Sequence, residues 1–261
     1  MNPKNTLLIT ALATLFTINV KSAESVEKLE KYKKFLQEGT DQCIDLSHWA
    51  IPPKSRYETF KKAFKHFEKN NGKIVVELGA TRSFVDGAYQ GCLSTNPKYW
   101  EPNNPTVWDW GAGSFTRVAA ECLCNLNPEF HSIDISHQAV NISRTMTKEF
   151  AHIMHFHRCS STDFLSQWDS KRKIDLIYLD TGGMDEYTCK LQLQEAKIIV
   201  ERDLLSHNGM ILIDDVKNST PRRLHGETSD LGKSKYSIPY LLAHGFKIVA
   251  DEYQVILIKN K

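Results

Sequence analysis

The sequence contains no run of ~20 apolar residues, the length a membrane-spanning helix needs. It carries almost no excess of either charge, with a formal net of +2, so no electrostatic argument points to nucleic acid or to an acidic membrane surface as a partner. Cysteine is sparse: Cys43, Cys92, Cys122, Cys124, Cys159 and Cys189 include no CxxC pair, and they leave the redox compartment undecided. Buried free thiols are the expectation, with a Cys43–Cys92 bridge left open. There is no internal repeat and no low-complexity tract. GxGxxG is also missing, which disfavours a nicotinamide-dependent oxidoreductase.

What is present is an ordinary globular composition. The 261 residues are 41% hydrophobic and 25% charged, enough chain for one large domain with a full core. The amino terminus differs from the rest. Lys4 precedes the uncharged segment Leu7 to Val20 (LLITALATLFTINV), and small residues follow near Ser22-Ala23. A basic start, a short apolar stretch and small residues form the pattern of a secretory leader, so residues 1–23 are expected to direct export.

Residues 24–72 are expected to be helical. Ser25–Glu38 and Ser55–Asn70 carry helical spacing, and the second places Tyr57, Phe60, Phe64 and Phe67 on one face. From Lys73 onward strand and helix patterns alternate. Strands are predicted at Lys73–Leu78, His131–Ile135, Ile153–His157, Ile174–Leu179, Met210–Ile213, Phe246–Ala250 and Gln254–Ile258. The helices predicted between them are Ser114–Cys124, His137–Phe150, Met184–Leu205 and Lys235–His244. Such alternation predicts an α/β fold, a Rossmann-like three-layer sandwich on a mostly parallel seven-stranded sheet. Only Asp251-Glu252-Tyr253 separates the last two strands. No crossover helix fits there, so they should form an antiparallel hairpin at one edge. An irregular, aromatic-rich insertion at about 82–110 interrupts the first βα unit, and long loops of this kind often serve function.

Ligands of open α/β sheets bind beyond the carboxyl ends of the strands. Those ends read Glu77-Leu78-Gly79, Asp134, Asp163, Asp180-Thr181-Gly182-Gly183 and Asp214-Asp215. A single carboxylate would pass as a helix cap; a row of them along one edge calls for another cause.

Glu77-x-Gly79 at a strand end, a glycine turn into a helix, and Asp134 after the next strand resemble the class I S-adenosylmethionine-dependent methyltransferases over roughly Lys73 to Lys259. The resemblance implies a backbone approach to the cofactor at Glu77, Gly79, Gly111, Gly113 and Ser114. It implies ribose binding at Asp134, adenine contact at Asp163, and Asp180 at the same pocket. The glycine motif is divided here between Glu77-Leu78-Gly79 and Asp109-Trp110-Gly111-Ala112-Gly113-Ser114. Either KIVVEL is the first strand and DWGAGS opens the helix after an insertion, or TVWDWGAG is itself the strand. The first register is preferred, because KIVVEL is the stronger buried strand.

Asp180, Asp214 and Asp215 end neighbouring strands in that family's sheet, ~4.8 Å apart. Three carboxylates at one corner suit Mg²⁺ or Ca²⁺ rather than zinc. The arrangement is similar to the metal-dependent O-methyltransferases, the catechol and macrocin O-methyltransferase groups. It implies a divalent cation orienting the hydroxyl of a small-molecule acceptor. The alternatives are that Asp180 caps a helix and that Asp214 or Asp215 pairs with Lys217, Arg222 or Arg223. No Lys follows Asp180 where the catechol group has one, so no general base is assigned. A non-catalytic chain that binds a nucleoside or a protein partner stands as the second reading.

Overall fold

The computed structural model describes residues 24–43, 53–84, 98, 100–217 and 231–260. Residues 1–23, Cys92 and the rest of 85–97 and residue 99 of the aromatic-rich insertion, and Arg222 and Arg223 lie outside the described residues.

Helices α1 (residues 24–30), α2 (Lys33–Cys43) and α3 (Arg56–Lys69) precede the sheet. Strands β1 (Ile74–Leu78), β2 (Glu129–Asp134), β3 (Met154–Arg158), β4 (Ile174–Leu179), β5 (Leu205–Ile213), β6 (Phe246–Asp251) and β7 (Val255–Lys259) follow, in the spatial order β3-β2-β1-β4-β5-β7-β6. Helices α4 (Phe115–Leu123), α5 (His137–Met146), α6 (Ser161–Gln167), α7 (Glu186–Glu201) and α8 (Ser237–Ala243) fill the crossovers. The first five strands pair in parallel, while β7 runs antiparallel to both β5 and β6. The expected α/β sandwich with a closing antiparallel hairpin is what the chain forms.

Strand β1 is KIVVEL without its lysine, and it sits at the centre between β2 and β4. Every residue of it is buried, as a strand covered on both faces requires. The competing candidate TVWDWGAG is no strand. It forms two short 3-10 turns, Pro105–Val107 and Trp110–Ala112. Sequence order reverses between β1 and β4, so the crevice where ligands enter this architecture opens above β1.

Two apolar layers hold the sheet. One face packs against the amino-terminal helices: Tyr57, Phe60, Phe64 and Phe67 of α3 are all buried. Phe115 of α4 stacks on Tyr178 of β4 at 4.0 Å, with Phe60 edge-on to both. Each such ring contributes about 1.5–3 kcal/mol through burial. The helices before residue 72 therefore share one core with the sheet. The other face packs against α6, α7 and α8 through residues such as Leu165, Ala196, Ile199 and Leu241. Cys122, Cys124, Cys159 and Cys189 are free thiols. Among the described residues, no helix is long and apolar enough to cross a membrane.

Candidate active site

The two halves of the divided glycine motif meet above β1. Gly79 follows the strand at φ +93°, and a Cβ there would stand 2.4 Å from the Asp180 carbonyl oxygen, so only glycine fits. Gly113 adopts φ +87°, with the Asp180 Oδ2 and Thr81 Cα positions closest to its missing side chain. Thr81 Oγ1 donates to the Gly113 carbonyl at 2.5 Å, and Arg82 holds the Gly111 carbonyl at 3.1 Å. The insertion leaves and returns at one point, which restores in space the loop that the sequence divides.

Asp134 lies at the other side of this loop. Its Oδ2 accepts from the Ala80 N–H at 3.0 Å and its Oδ1 from the Ser136 N–H at 2.7 Å. Burial raises its pKa, opposed by these two hydrogen bonds. Ile135, the next residue, is 74% exposed, an apolar side chain just past the carboxyl end of β2. Ser114 at the start of α4 is buried, and its Oγ has no hydrogen-bond partner. An orphaned hydroxyl at a helix amino terminus, two bare glycine backbones and a carboxylate with remaining lone pairs fit a nucleoside ligand with a polar tail.

Glu77 takes a place other than the crevice expected for it. It is 1% exposed, with the Thr116 hydroxyl 2.7 and 2.8 Å from its oxygens and Ser132 Oγ at 2.5 Å. Burial pushes its pKa up to about 8. Thr116 also accepts from the Thr81 N–H at 3.3 Å. Glu77 thus supports the loop from below, because alternation along β1 turns it towards α4 and away from the strand end. Asp163 stands in the first turn of α6, beside His131, His157 and Trp168 in a cleft on the α6 side of the sheet. Among the described residues, no hydrogen bond joins it to Asp134 or to the glycine turns.

Asp180, Asp214 and Asp215 do converge, each offering an oxygen within 4.8 Å of the others. Two cations hold them. Arg56, at the head of α3, donates Nε–H to Asp214 Oδ1 at 3.0 Å and pairs with Oδ2 through its terminal nitrogen. The same terminal nitrogen reaches Asp215 at 3.3 Å. Its guanidinium lies 3.8 Å over the Trp110 ring and donates to the Trp110 carbonyl. Gln254 supplies a further donor to Asp214 Oδ1 at 2.8 Å. Lys233, wholly buried, places Nζ 2.6 Å from Asp180 Oδ1 and 3.5 Å from Asp215 Oδ2. Gly232 makes this possible at φ +50°, packed against the Asp215 and Val216 carbonyls.

The charges respond accordingly. Burial alone would raise Asp215, but Lys233 and Arg56 pull it down to about 2. Asp180 is pushed up to about 7 by burial, with Asp214 and Asp215 adding to the rise and Lys233 opposing it. Despite burial, the Lys233 ammonium is stabilised by Asp180 and then Asp215.

This donor set does not fit a divalent ion. Both oxygens of Asp214 are occupied, and an ammonium already stands between Asp180 and Asp215, in the place expected for the metal. Lys217, one of the alternative partners of Asp214 or Asp215, lies 3.0 Å from Asp251. Sequence reading missed Arg56 and Lys233. Arg56 did leave a signal, for it heads the apolar stripe continued by Phe60, Phe64 and Phe67, where an unpaired charge would be costly. Lys233, in a Gly-Lys-Ser turn, left none.

Residues 110–216 match the model of a family described as a methyltransferase domain. The match begins in the second half of the divided motif. No curated protein sequence matches the chain. The SAH-bound methyltransferase PaMTH1 of Podospora anserina is similar in structure, with a TM-score of 0.52 at 16% identity over 80% of each chain. A candidate O-methyltransferase from Klebsiella pneumoniae gives 0.51 at 8% identity, covering 88% of this chain and 90% of that one. Residues 110–216 are thus similar to a methyltransferase domain, and the fold is the one these methyltransferase structures share.

Proposed function

We propose that this protein is an O-methyltransferase acting on a small-molecule acceptor, with Lys233 and Arg56 rather than a divalent ion balancing its carboxylates. The observation that carries the reading is that one glycine turn joins Asp134 to Asp180. Ala80 N–H binds the first, and Gly79 packs on the backbone of the second. Asp134, the carboxylate proposed to bind ribose, and the charged cluster thereby flank one glycine turn.

When bound, S-adenosylmethionine supplies a methyl group on a sulfonium sulfur. Asp134 would accept hydrogen bonds from the sugar hydroxyls, and the Gly79 and Gly113 backbones would admit the amino-acid portion. Asp180 Oδ1 is tied to Lys233, while Oδ2 faces Gly113. A carboxyl with a pKa of about 7 suits proton removal at neutral pH. Asp180 Oδ2 would take the acceptor hydroxyl proton as the oxygen–methyl bond forms and the sulfur–methyl bond breaks, leaving the electron pair on sulfur. Lys233 would hold Asp180 in place and stabilise the charge that develops beside it.

The test is calorimetric titration with S-adenosylmethionine and S-adenosylhomocysteine, followed by transfer of labelled methyl to phenol, sugar and carboxylate acceptors, with and without added Mg²⁺. Binding that Asp134→Ala abolishes, with turnover indifferent to Mg²⁺, supports the proposal. Binding without turnover on any acceptor favours a non-catalytic nucleoside-binding role. Turnover that requires Mg²⁺ would overturn the assignment to Lys233. Export rests on the leader pattern alone, and sequencing the mature amino terminus tests it.

A further inference from the structure

Along β2 and β3, four side chains gather on one face of the sheet. Side chains two apart on a strand share a face, so Glu129 and His131 of β2 project together. The register His131↔His155 and Ile133↔His157 sets the two β3 histidines beside them. The His131 ring stacks on His155 at 4.8 Å and on His157 at 5.2 Å. The edge of Trp168 closes it off at 4.9 Å. His131 is 6% exposed, and its Nε2 is sealed from solvent with no hydrogen-bond partner. Glu129 Oε2 stands 3.5 Å from that nitrogen, beyond good bonding geometry.

A buried ring nitrogen without a partner is costly and calls for an occupant. His131 Nδ1 lies 3.0 Å from His157 Nε2. With the Nδ1 proton donated to His157, Nε2 presents a lone pair towards Glu129 and His155. A metal-ligating histidine is commonly held this way, by a hydrogen bond at its other nitrogen. Glu129, His131 and His155 each offer one ligand atom within 4.8 Å of the others. Tetrahedral ligands of zinc at ~2.0–2.1 Å are separated by about 3.4 Å. The remaining contraction falls on Glu129 and His155, which are exposed.

We propose that Glu129, His131 and His155 form a site for a zinc-class divalent ion, with His157 orienting His131 and water completing the tetrahedron. Two imidazoles and one carboxylate select Zn²⁺, Co²⁺ or Ni²⁺ over Mg²⁺ and Ca²⁺. Without metal, Glu129 pairs with Arg172. Arg172 is partly exposed and also lies over Trp168 at 4.7 Å, so it can yield the carboxylate oxygen and keep its place on the ring. His131 and Glu129 stand three and five strand steps from Asp134, roughly 10 and 16 Å at strand rise, and on the opposite face of β2. The ion would therefore clamp β2 to β3 away from the glycine turns, and binding only the folded state it would stabilise the fold.

The experiment is equilibrium dialysis of the untagged chain against micromolar Zn²⁺, together with Co²⁺ absorption spectroscopy and thermal melts. One equivalent bound, with tetrahedral Co²⁺ bands and a raised melting temperature, is expected. His155→Ala and Glu129→Gln change exposed residues and should keep the fold, yet weaken binding by at least about tenfold and remove the bands. Asp180→Asn should leave Zn²⁺ binding intact. Wild-type protein that takes up no Zn²⁺, or a His155→Ala variant that binds as the wild type does, would overturn the site. Loss of binding in Asp180→Asn but not in His155→Ala would move the ion to the carboxylate cluster and overturn it equally.

Discussion

The Lys233 ammonium lies 2.6 Å from Asp180 Oδ1, and the lysine is wholly removed from solvent. Removing one partner of such a buried pair strands the other charge, at a cost of about 3–5 kcal/mol. Lys233→Met should therefore destabilise the protein by that order in urea unfolding. Adding Asp180→Asn should recover part of the loss, since the stranded charge goes with it. Strictly additive losses would mean that the two groups do not interact.

Asp180 should govern the pH dependence of methyl transfer. A proton acceptor works in its deprotonated form, so kcat/KM should rise with pH through about 7. Asp180→Asn should flatten this limb and lower kcat while leaving cofactor affinity within a few-fold. A variant that keeps the wild-type pH profile would remove Asp180 from the proton-transfer role.

Glu77 makes a prediction about stability rather than rate. Its folded pKa of about 8 lies above the ordinary value of 4.5, so the folded state keeps a proton that the unfolded state releases. Its contribution is complete below pH 4.5 and is lost as pH rises through about 8. Glu77→Gln cannot titrate. Relative to wild type it should gain stability steadily from pH 5 to pH 8, in denaturation at a series of pH values. Parallel curves for the two proteins would contradict this.

Gly79→Ala should be among the most damaging single changes. It adds a Cβ 2.4 Å from the Asp180 carbonyl oxygen, at a positive φ that disfavours side chains. Displacement of the Gly79 turn should abolish cofactor binding in calorimetry, with a stability loss of about 1–3 kcal/mol. Ala80→Ser, one residue on at an ordinary backbone position, should be tolerated.

Arg56 carries a geometric requirement. Its fork meets Asp214 through two nitrogens while its face covers Trp110. Arg56→Lys keeps the charge but not the fork, and should still cost roughly 2 kcal/mol in unfolding experiments. Equal stability would show that charge alone suffices.

The strands were legible from the sequence because covered strands are short and mostly apolar, and carboxylates follow where such a run stops. That reasoning located β1, β2, β4 and β5, and with them Asp134, Asp180, Asp214 and Asp215. The hairpin β6–β7 was equally legible, because three residues leave no room for a crossover. Element bounds drifted at strand β5, which begins at Leu205 rather than Met210, since its polar start resembles a loop. Cofactor duty was expected of Glu77 from its motif, but side-chain alternation turns it under the loop.

Local pattern, then, was sufficient for the order of strands and helices and for the row of acids along one edge of the sheet. Chain distance hid what neutralises those acids. Arg56 lies 158 residues from Asp214, and Lys233 lies 53 residues from Asp180. No periodicity links positions so far apart. Only the folding of α3 and the Gly232 turn onto the carboxyl edge brings them together. The histidine cluster was hidden for the same reason, because it depends on β2 and β3 pairing in one register. Sequence periodicity specifies which face a residue takes, whereas charge balance and ligand geometry belong to neighbours that only the closed fold selects.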